Sequence, residues 1–482
     1  MVPENLVELV RTIRMQQAEM QNIEVKAAHK GCPTKLYDTL SSFSNQDNGG
    51  IIVFGLDETQ KFSITGVYDL QDLQKKVKDQ CLQMVPPVCA VFTIAEIDGK
   101  YVCSAEIPGL DISNRPCYYK GAGRLKGSFV RVGDADLHMT DYELYRLEAF
   151  RKHLHDDERP VERAGMNALD MEAVQQYVNE KKEGHPKFAQ LEKDVIYDML
   201  NISRQGMPTL AALMNFGIYP QGYFPQLGIT AVVVPGLEIG DTNRQDIRFI
   251  DNKRIEGTLA GMVREALAFC RRNMKMRTVI DKKTGERHDW TEYPVAAIRE
   301  AILNAVIHRD YSFYTESIPI QLDMFADRLE IHSPGSLYGR MTVEQLGVAR
   351  TDIRNPALAV MAESLTEAEN RYSGIPTMRR EMKAQGLPEP VFENRRNEFV
   401  VIFYNEPVSS MSSDDEMHRD EDSILMFCKI PRNRQEITEF LGLKTSGYVV
   451  KRYITPLIQA GKLQMTVPDQ PRSRYQKYIY VK

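Results

Sequence analysis

Two sets of residues in this 482-residue chain have types and spacing that could do chemistry. Glu19, Glu24 and Lys26 lie close together, and Asp57 follows at the end of a short apolar run. Two glutamates and an aspartate supply the hard oxygen ligands that hold Mg2+ or Mn2+, and such a metal activates water against a phosphodiester. Lys26 would stabilise negative charge on the attacked phosphate. No histidine stands in this set, so metal-bound hydroxide would serve as base. The same residues admit a plainer reading, in which Glu24 and Lys26 form an ion pair on one strand face and Asp57 caps a turn.

The second set lies in PVAAIREAILNAVIHRDY, residues 294–311. Pro294 starts a helix, and Ile298, Ile302 and Val306 form its apolar face with Leu303 and Ile307 beside them. Glu300, Asn304 and His308 fall at i, i+4 and i+8, a polar line along an otherwise apolar helix. A buried helix with three such groups needs partners for them. An exposed polar stripe is the alternative.

The elements that position the first set follow from local pattern. Ile23 and Val25 alternate with Glu24 and Lys26, so the carboxylate and the amine share one strand face. Pro33 opens a helix on which Leu36, Leu40 and Phe43 recur. Gly49–Gly50 ends it and starts a buried strand, Ile51 to Phe54, closing at Gly55 with Asp57 and Glu58 beyond. Glu19, Glu24, Lys26 and Asp57 are expected near one strand end.

With Ser42-Phe43-Ser44-Asn45 to Gly50, the strand end Gly55 to Glu58 and the later Arg115 to Gly133, this pattern over about residues 16–140 resembles the AlbA-2 domain of the Schlafen family. The resemblance implies nucleic-acid handling. In some Schlafen proteins the matching two Glu and Asp form a nuclease site.

The second set has its own neighbours. Downstream come IPIQLDMF and DRLEIHSPG, then RNPALA at 354–359 and NRYSGIPTMRREM at 370–382. Together, over about residues 290–405, these resemble a GHKL-type ATP-binding module. The resemblance implies that Glu300 is the acid and Asn304 the magnesium-coordinating amide. Ser333-Pro334-Gly335 and Ser373-Gly374-Ile375 take the places of the two glycine boxes, and Pro376 leads a helix whose first N–H groups would hold phosphate. His308, Gly335, Ser373 and Gly374 complete the nucleotide-binding set. Two departures stand out: Ser333 replaces the carboxylate that reads adenine, and Tyr372 replaces a glycine. No G-x4-G-K-[ST] occurs, which excludes a conventional P-loop motor.

Basic residues mark two further regions. Lys120, Arg124, Lys126 and Arg131, beside Tyr118, Tyr119 and Phe129, read as a surface for a phosphate backbone or unstacked bases, with an ordinary hairpin as the alternative. Residues 406–421, EPVSSMSSDDEMHRDE, read as an acidic linker. Residues 422–482 then carry eleven Lys or Arg against four Asp or Glu. Within them a short helix, a helix RQEITEFLGL, a second helix from Gly447 to Ala460 kinked at Pro456, and two strand-like runs make a winged helix-turn-helix pattern. Lys444, Ser446, Tyr448, Lys451 and Arg452 would face a groove, with Arg472 and Arg474 at the wing tip.

The composition, 43% hydrophobic and 26% charged with net charge −5, is that of a globular protein. No apolar run is long enough to span a membrane, and MVPENLVELVRTIRM lacks the form of a signal peptide. Seven widely spaced cysteines fit reduced thiols and a cytoplasmic location. The expected fold is α+β and multidomain: an AlbA-2-like domain over 1–140, a helical connector with short strands over 141–289, a GHKL-like α/β sandwich over 290–405, the linker, and a winged helix over 422–482. The expected function is a nucleotide-responsive DNA-binding transcriptional regulator, homo-oligomeric, using ATP and Mg2+. The alternative is a Mn2+- or Mg2+-dependent nuclease acting on RNA or single strands through Glu19, Glu24 and Asp57.

Overall fold

The computed structural model describes residues 1–242, 246–280, 287–350, 352–366, 374–405, 421–441, 446–468, 473 and 476–481. The chain divides into two compact units, Met1–His155 and Asp156–Lys482. Among the described residues no helix is long and apolar enough to cross a membrane.

The first unit is built on a four-stranded sheet in the order Ile23–Lys26, Gly50–Phe54, Lys100–Ile107, Val91–Ile97. The first pair is parallel and the other two are antiparallel. Because side chains alternate along a strand, Ile23, Val25 and Val53 face helix Pro3–Gln16 through Leu6, Val10 and Ile13. Ile52 and Phe54 face the other way, onto helices Tyr37–Ser44 and Leu70–Cys81. The helix expected from Pro33 begins at Tyr37 instead. Gln80 holds the preceding segment extended, accepting from the Leu36 N–H at 2.9 Å and donating to the Pro33 carbonyl at 2.8 Å. Helix Asp141–Lys152 also belongs to this unit; it opens on a capping box between Thr140 and Glu143.

The second unit centres on a six-stranded sheet: Asp251–Ile255, Ile229–Val233, Ile320–Met324, Arg328–Pro334, Glu398–Tyr404, Val391–Asn394. Only the pair Ile229–Val233 and Ile320–Met324 is parallel. Helices Leu259–Asn273, Val295–His308, Pro356–Thr366 and Gly374–Ala384 pack with the sheet into one core, joined by helix Leu210–Phe216. The boundary expected at residue 289 is therefore not where the structure divides. Two strands of the sheet and the core helices Leu210–Phe216 and Leu259–Asn273 come from the segment read as connector. Helix Leu259–Asn273 begins only after residues up to Ile255 have paired as a strand, and Thr258 caps its start, accepting from the Gly261 N–H.

At the C-terminus, helices Glu421–Phe427 and Arg434–Phe440 precede a helical stretch from Ser446 to Gln459. A three-stranded sheet follows in the order Arg432–Asn433, Lys477–Tyr480, Leu463–Met465. The turn Val450–Ile454 is π-helical just ahead of Pro456, which has no N–H and crowds the preceding turn.

Candidate functional site

One cleft in the second unit gathers the polar line of helix Val295–His308. Glu300, Asn304 and His308 line it, together with Ser333 at the end of strand Arg328–Pro334, Gly335 and Tyr338 just beyond it, and Gly374 at the start of helix Gly374–Ala384. Its floor is apolar, with Ile331 and Val401 from the sheet and Met341, Leu346 and Met378 around them. The enclosed volume is about 170 Å3.

The sequence makes this cleft by local means. Eight residues of helix Val295–His308 are buried apolar groups, which hold it against the sheet and leave the polar line toward the cavity. Gly374 permits a close approach to the polar line. A Cβ there would lie 3.0 Å from Asn304 Nδ2 and 3.1 Å from Glu300 Oε2. Gly335 has φ of +97°, and a side chain there would overlap Arg354 and Asp310. Burial raises the Glu300 carboxyl above its usual range, opposed by Arg299.

His308 lines the cleft and is exposed to it. Desolvation by the surrounding protein, with the nearby Arg354 charge, pushes its pKa down to about 4.

The cleft walls are pinned by residues that local pattern did not single out. Arg354 and Asp310 form a buried ion pair at 3.1 Å, and Arg354 also donates to the Ser336 carbonyl at 2.6 Å. Asn355 is fully buried and donates to the carbonyls of Ile307 and Arg309 at 2.8 and 2.7 Å, closing the C-terminal end of helix Val295–His308. Asp157 accepts from the Leu358 N–H at 2.8 Å, at the start of helix Pro356–Thr366. The signal for them was the polar dipeptide Arg354-Asn355 ahead of Pro356, but their partners lie far off in sequence.

The acidic set of the first unit is organised around a cation from the chain itself. Arg131, expected on a basic surface, is buried, with its side chain 1% exposed. It lies 2.9 Å from Glu24, 3.0 Å from Asp136 and 3.6 Å from Glu19, and it donates to the Gln21 and Ile23 carbonyls. Glu24 also pairs with Lys26. Glu19 accepts from the Val25 N–H at 2.7 Å. Burial first, then the Glu24 charge, raises the Glu19 pKa to about 7, opposed by the Val25 N–H and the Lys26 charge. Asp57 accepts from the Thr59 N–H and hydroxyl at 3.0 and 2.6 Å, capping the turn Glu58–Gln60. Among the described residues no group of three or more His, Cys, Asp or Glu is placed to hold a metal ion.

Arg124 pairs with Glu148 at 2.9 Å, while Lys120 and Lys126 are exposed. The aromatic side chains beside them are engaged internally: Tyr119 stacks on Tyr37, and Phe129 packs against His138. That leaves Tyr118, half-buried, rather than a row of rings for bases. Ser446, Lys451 and Arg452 lie on the C-terminal helical stretch, where Lys451 approaches Glu393 at 3.7 Å. Tyr448 lies on the same stretch. Ser373, Lys444, Arg472 and Arg474 lie outside the described residues.

Comparison with known proteins agrees with two of these modules. Residues 19–140 match the family profile described as "Schlafen, AlbA_2", and residues 318–403 match "Putative ATP-dependent DNA helicase recG C-terminal", an ATPase-like domain. Residues 424–479 match "Filamentation induced by cAMP protein Fic-like, C-terminal domain". No curated protein matches the chain. Among solved structures, the DIP2311 protein of Corynebacterium diphtheriae is similar over 99% of this chain and 97% of its own, at 17% identity and a TM-score of 0.40. The N-terminal domain of a "Putative ATP-dependent DNA Helicase RecG-related Protein" from Nitrosomonas europaea is similar over 28% of this chain and 92% of its own, at 22% identity and a TM-score of 0.22.

Proposed function

We propose that this chain is a DNA-binding transcriptional regulator whose state is set by a nucleotide in the cleft of its second unit. The observation that carries this reading is the convergence of Glu300, Asn304 and the helix start at Gly374 on one apolar cavity. The base would enter the apolar floor, and the phosphates would meet the N–H groups opening helix Gly374–Ala384. Glu300 and Asn304 would hold the Mg2+ that accompanies a nucleotide, because a carboxylate and an amide oxygen lining one cleft are the hard donors this ion takes. When bound, it would neutralise phosphate charge beside Glu300. The matches to Schlafen AlbA_2 and to a RecG-type C-terminal domain support a nucleotide- and nucleic-acid-related role. A helicase motor has no support, since the chain contains no G-x4-G-K-[ST].

DNA contact is assigned to the basic C-terminal module, read as a winged helix, with Lys444, Ser446, Tyr448, Lys451, Arg452, Arg472 and Arg474 as its contact set. The nuclease alternative draws no support from the geometry, because Arg131 already serves the carboxylates and Asp57 caps a turn. The test is calorimetric titration of the full chain with ATP and Mg2+, followed by duplex DNA mobility shifts with and without ATP. Binding that Asn304→Ala abolishes, with a change in DNA affinity, is expected. ATP that binds yet leaves DNA affinity unchanged would refute the regulator.

A further inference from the structure

We propose that the outer face of the six-stranded sheet, on the far side from the cleft, is a docking surface for the helical stretch that opens at Ser446, so that docking and DNA contact exclude one another. This dock rests on the assignment of DNA contact to the C-terminal module and adds the surface that restrains it.

The face follows from strand alternation. On strand Arg328–Pro334, Leu329 and Ile331 enter the core, which turns Arg328, Glu330 and His332 outward. On Glu398–Tyr404, Val401 and Phe403 enter the core, which turns Glu398, Val400 and Ile402 outward. Register adds Asp323 beside Glu330 and Glu393 beside Val400. Asp323, Glu330, Glu393 and Glu398 thus share the face with Arg328 and His332, while Arg395 reaches Glu393 and Glu398 from the turn. Carboxylates outnumber guanidiniums there. Val400 and Ile402 lie outside the main core cluster yet are 0% and 1% exposed, so the face is covered rather than open to water. The same two strands line the cleft from within, through Ile331, Ser333, Phe399 and Val401.

The C-terminal module meets this sheet at two points. Lys451 Nζ lies 3.7 Å from Glu393 Oε1, and a Cβ on Gly447 would lie 3.8 Å from Leu237 Cδ1. Glu393 is on the last strand in the sheet order, and Leu237 follows the second, so the stretch bridges the two sides of the sheet. Lys451 is also in the DNA contact set. An ammonium engaged with Glu393 cannot at the same time neutralise a phosphate. The contact is loose, because the Lys451 side chain stays 66% exposed. A weak ion pair suits a restraint that DNA displaces, since apparent affinity scales with the undocked fraction.

Fluorescence anisotropy of the full chain on a labelled random-sequence duplex tests the exclusion. Glu393→Gln removes the partner of Lys451 and should bind about two- to fivefold tighter than wild type, the factor that an exposed ion pair is worth. Glu389→Gln removes the same charge from an exposed position nearby in sequence and should leave affinity unchanged. The dock is read without DNA by combining Leu237→Cys with Gly447→Cys and adding a short bismaleimide. Cross-linking is expected in the double variant and in neither single one, and should fall when Glu393→Gln is added. Melting curves show that each variant is folded. Equal DNA affinities of the Glu393 and Glu389 variants, or no cross-link, would overturn the dock while leaving DNA binding intact. If neither wild type nor Glu393→Gln binds a duplex, the DNA reading itself falls, and the exclusion with it.

Discussion

At the scale of single residues, the two polar clusters solve the same problem in opposite ways. In the first unit, burying Glu19, Glu24 and Asp136 together is made tolerable by one guanidinium threaded between them. In the cleft, Glu300, Asn304 and His308 are left facing a cavity. Glu19 makes the first cluster testable by pH. Its folded pKa of about 7 lies above the ordinary 4.5, so its contribution to stability is full below pH 4.5 and is lost as pH rises through 7. Glu19→Gln keeps the acceptor for Val25 without the charge. Its unfolding free energy should therefore gain on wild type between pH 5 and 8, by about 1–2 kcal/mol once solvent screening of a half-buried group is allowed for, read as a rising difference in melting temperature. A difference that stays flat across that range would mean that Glu19 is not desolvated. Gly374→Ala should cost nucleotide affinity about tenfold or more with little loss of stability, because the added carbon crowds Asn304 and Glu300 at 3.0 and 3.1 Å; isothermal titration beside a melting curve separates the two effects.

At the scale of elements, what could be read from sequence was what is local. The alternation around Glu24 and the i, i+4, i+8 line of Glu300, Asn304 and His308 are fixed by strand and helix geometry, and both elements form with those side chains placed as expected. The sequence did not disclose which partners closed the ends. Arg131 looked like a surface base because its own neighbours are basic and aromatic; its buried position comes from residues about a hundred positions earlier. Asn355 is the parallel case in the second unit. It satisfies two terminal carbonyls of helix Val295–His308 from 48 and 46 residues away. Asn355→Ala leaves those carbonyls buried without that donor, and should destabilise the unit by about 1–3 kcal/mol. Chemical denaturation measures this, and a loss below about 0.5 kcal/mol, the size of an ordinary surface change, would show that the cap is dispensable. If the cap also holds His308 in register, nucleotide affinity should fall with it.

At the scale of the whole molecule, the decisive correction is where the unit that holds the cleft begins. A stretch rich in Pro and Gly, GMPTLAALMNFGIYPQGYFPQLG, reads as a connector because turn residues dominate its local pattern. Yet it leads into strand Ile229–Val233, which pairs in parallel with Ile320–Met324 across a long separation that no local period encodes. Helix Leu259–Asn273 then buries Met262, Ala266 and Phe269 in the same core as helix Val295–His308. A fragment starting at residue 290 would lack both strands on one side of Ile320–Met324 and expose Leu322 and Ile320, which are buried in the full chain. Fragment 156–405 keeps all six strands. It should therefore express as a monodisperse, cooperatively melting protein that retains ATP binding, whereas 290–405 should aggregate or remain unfolded. Circular dichroism melts and size-exclusion profiles of the two fragments decide this. A folded, nucleotide-binding 290–405 would show that the sandwich stands without its first two strands and that the earlier segment is a connector after all.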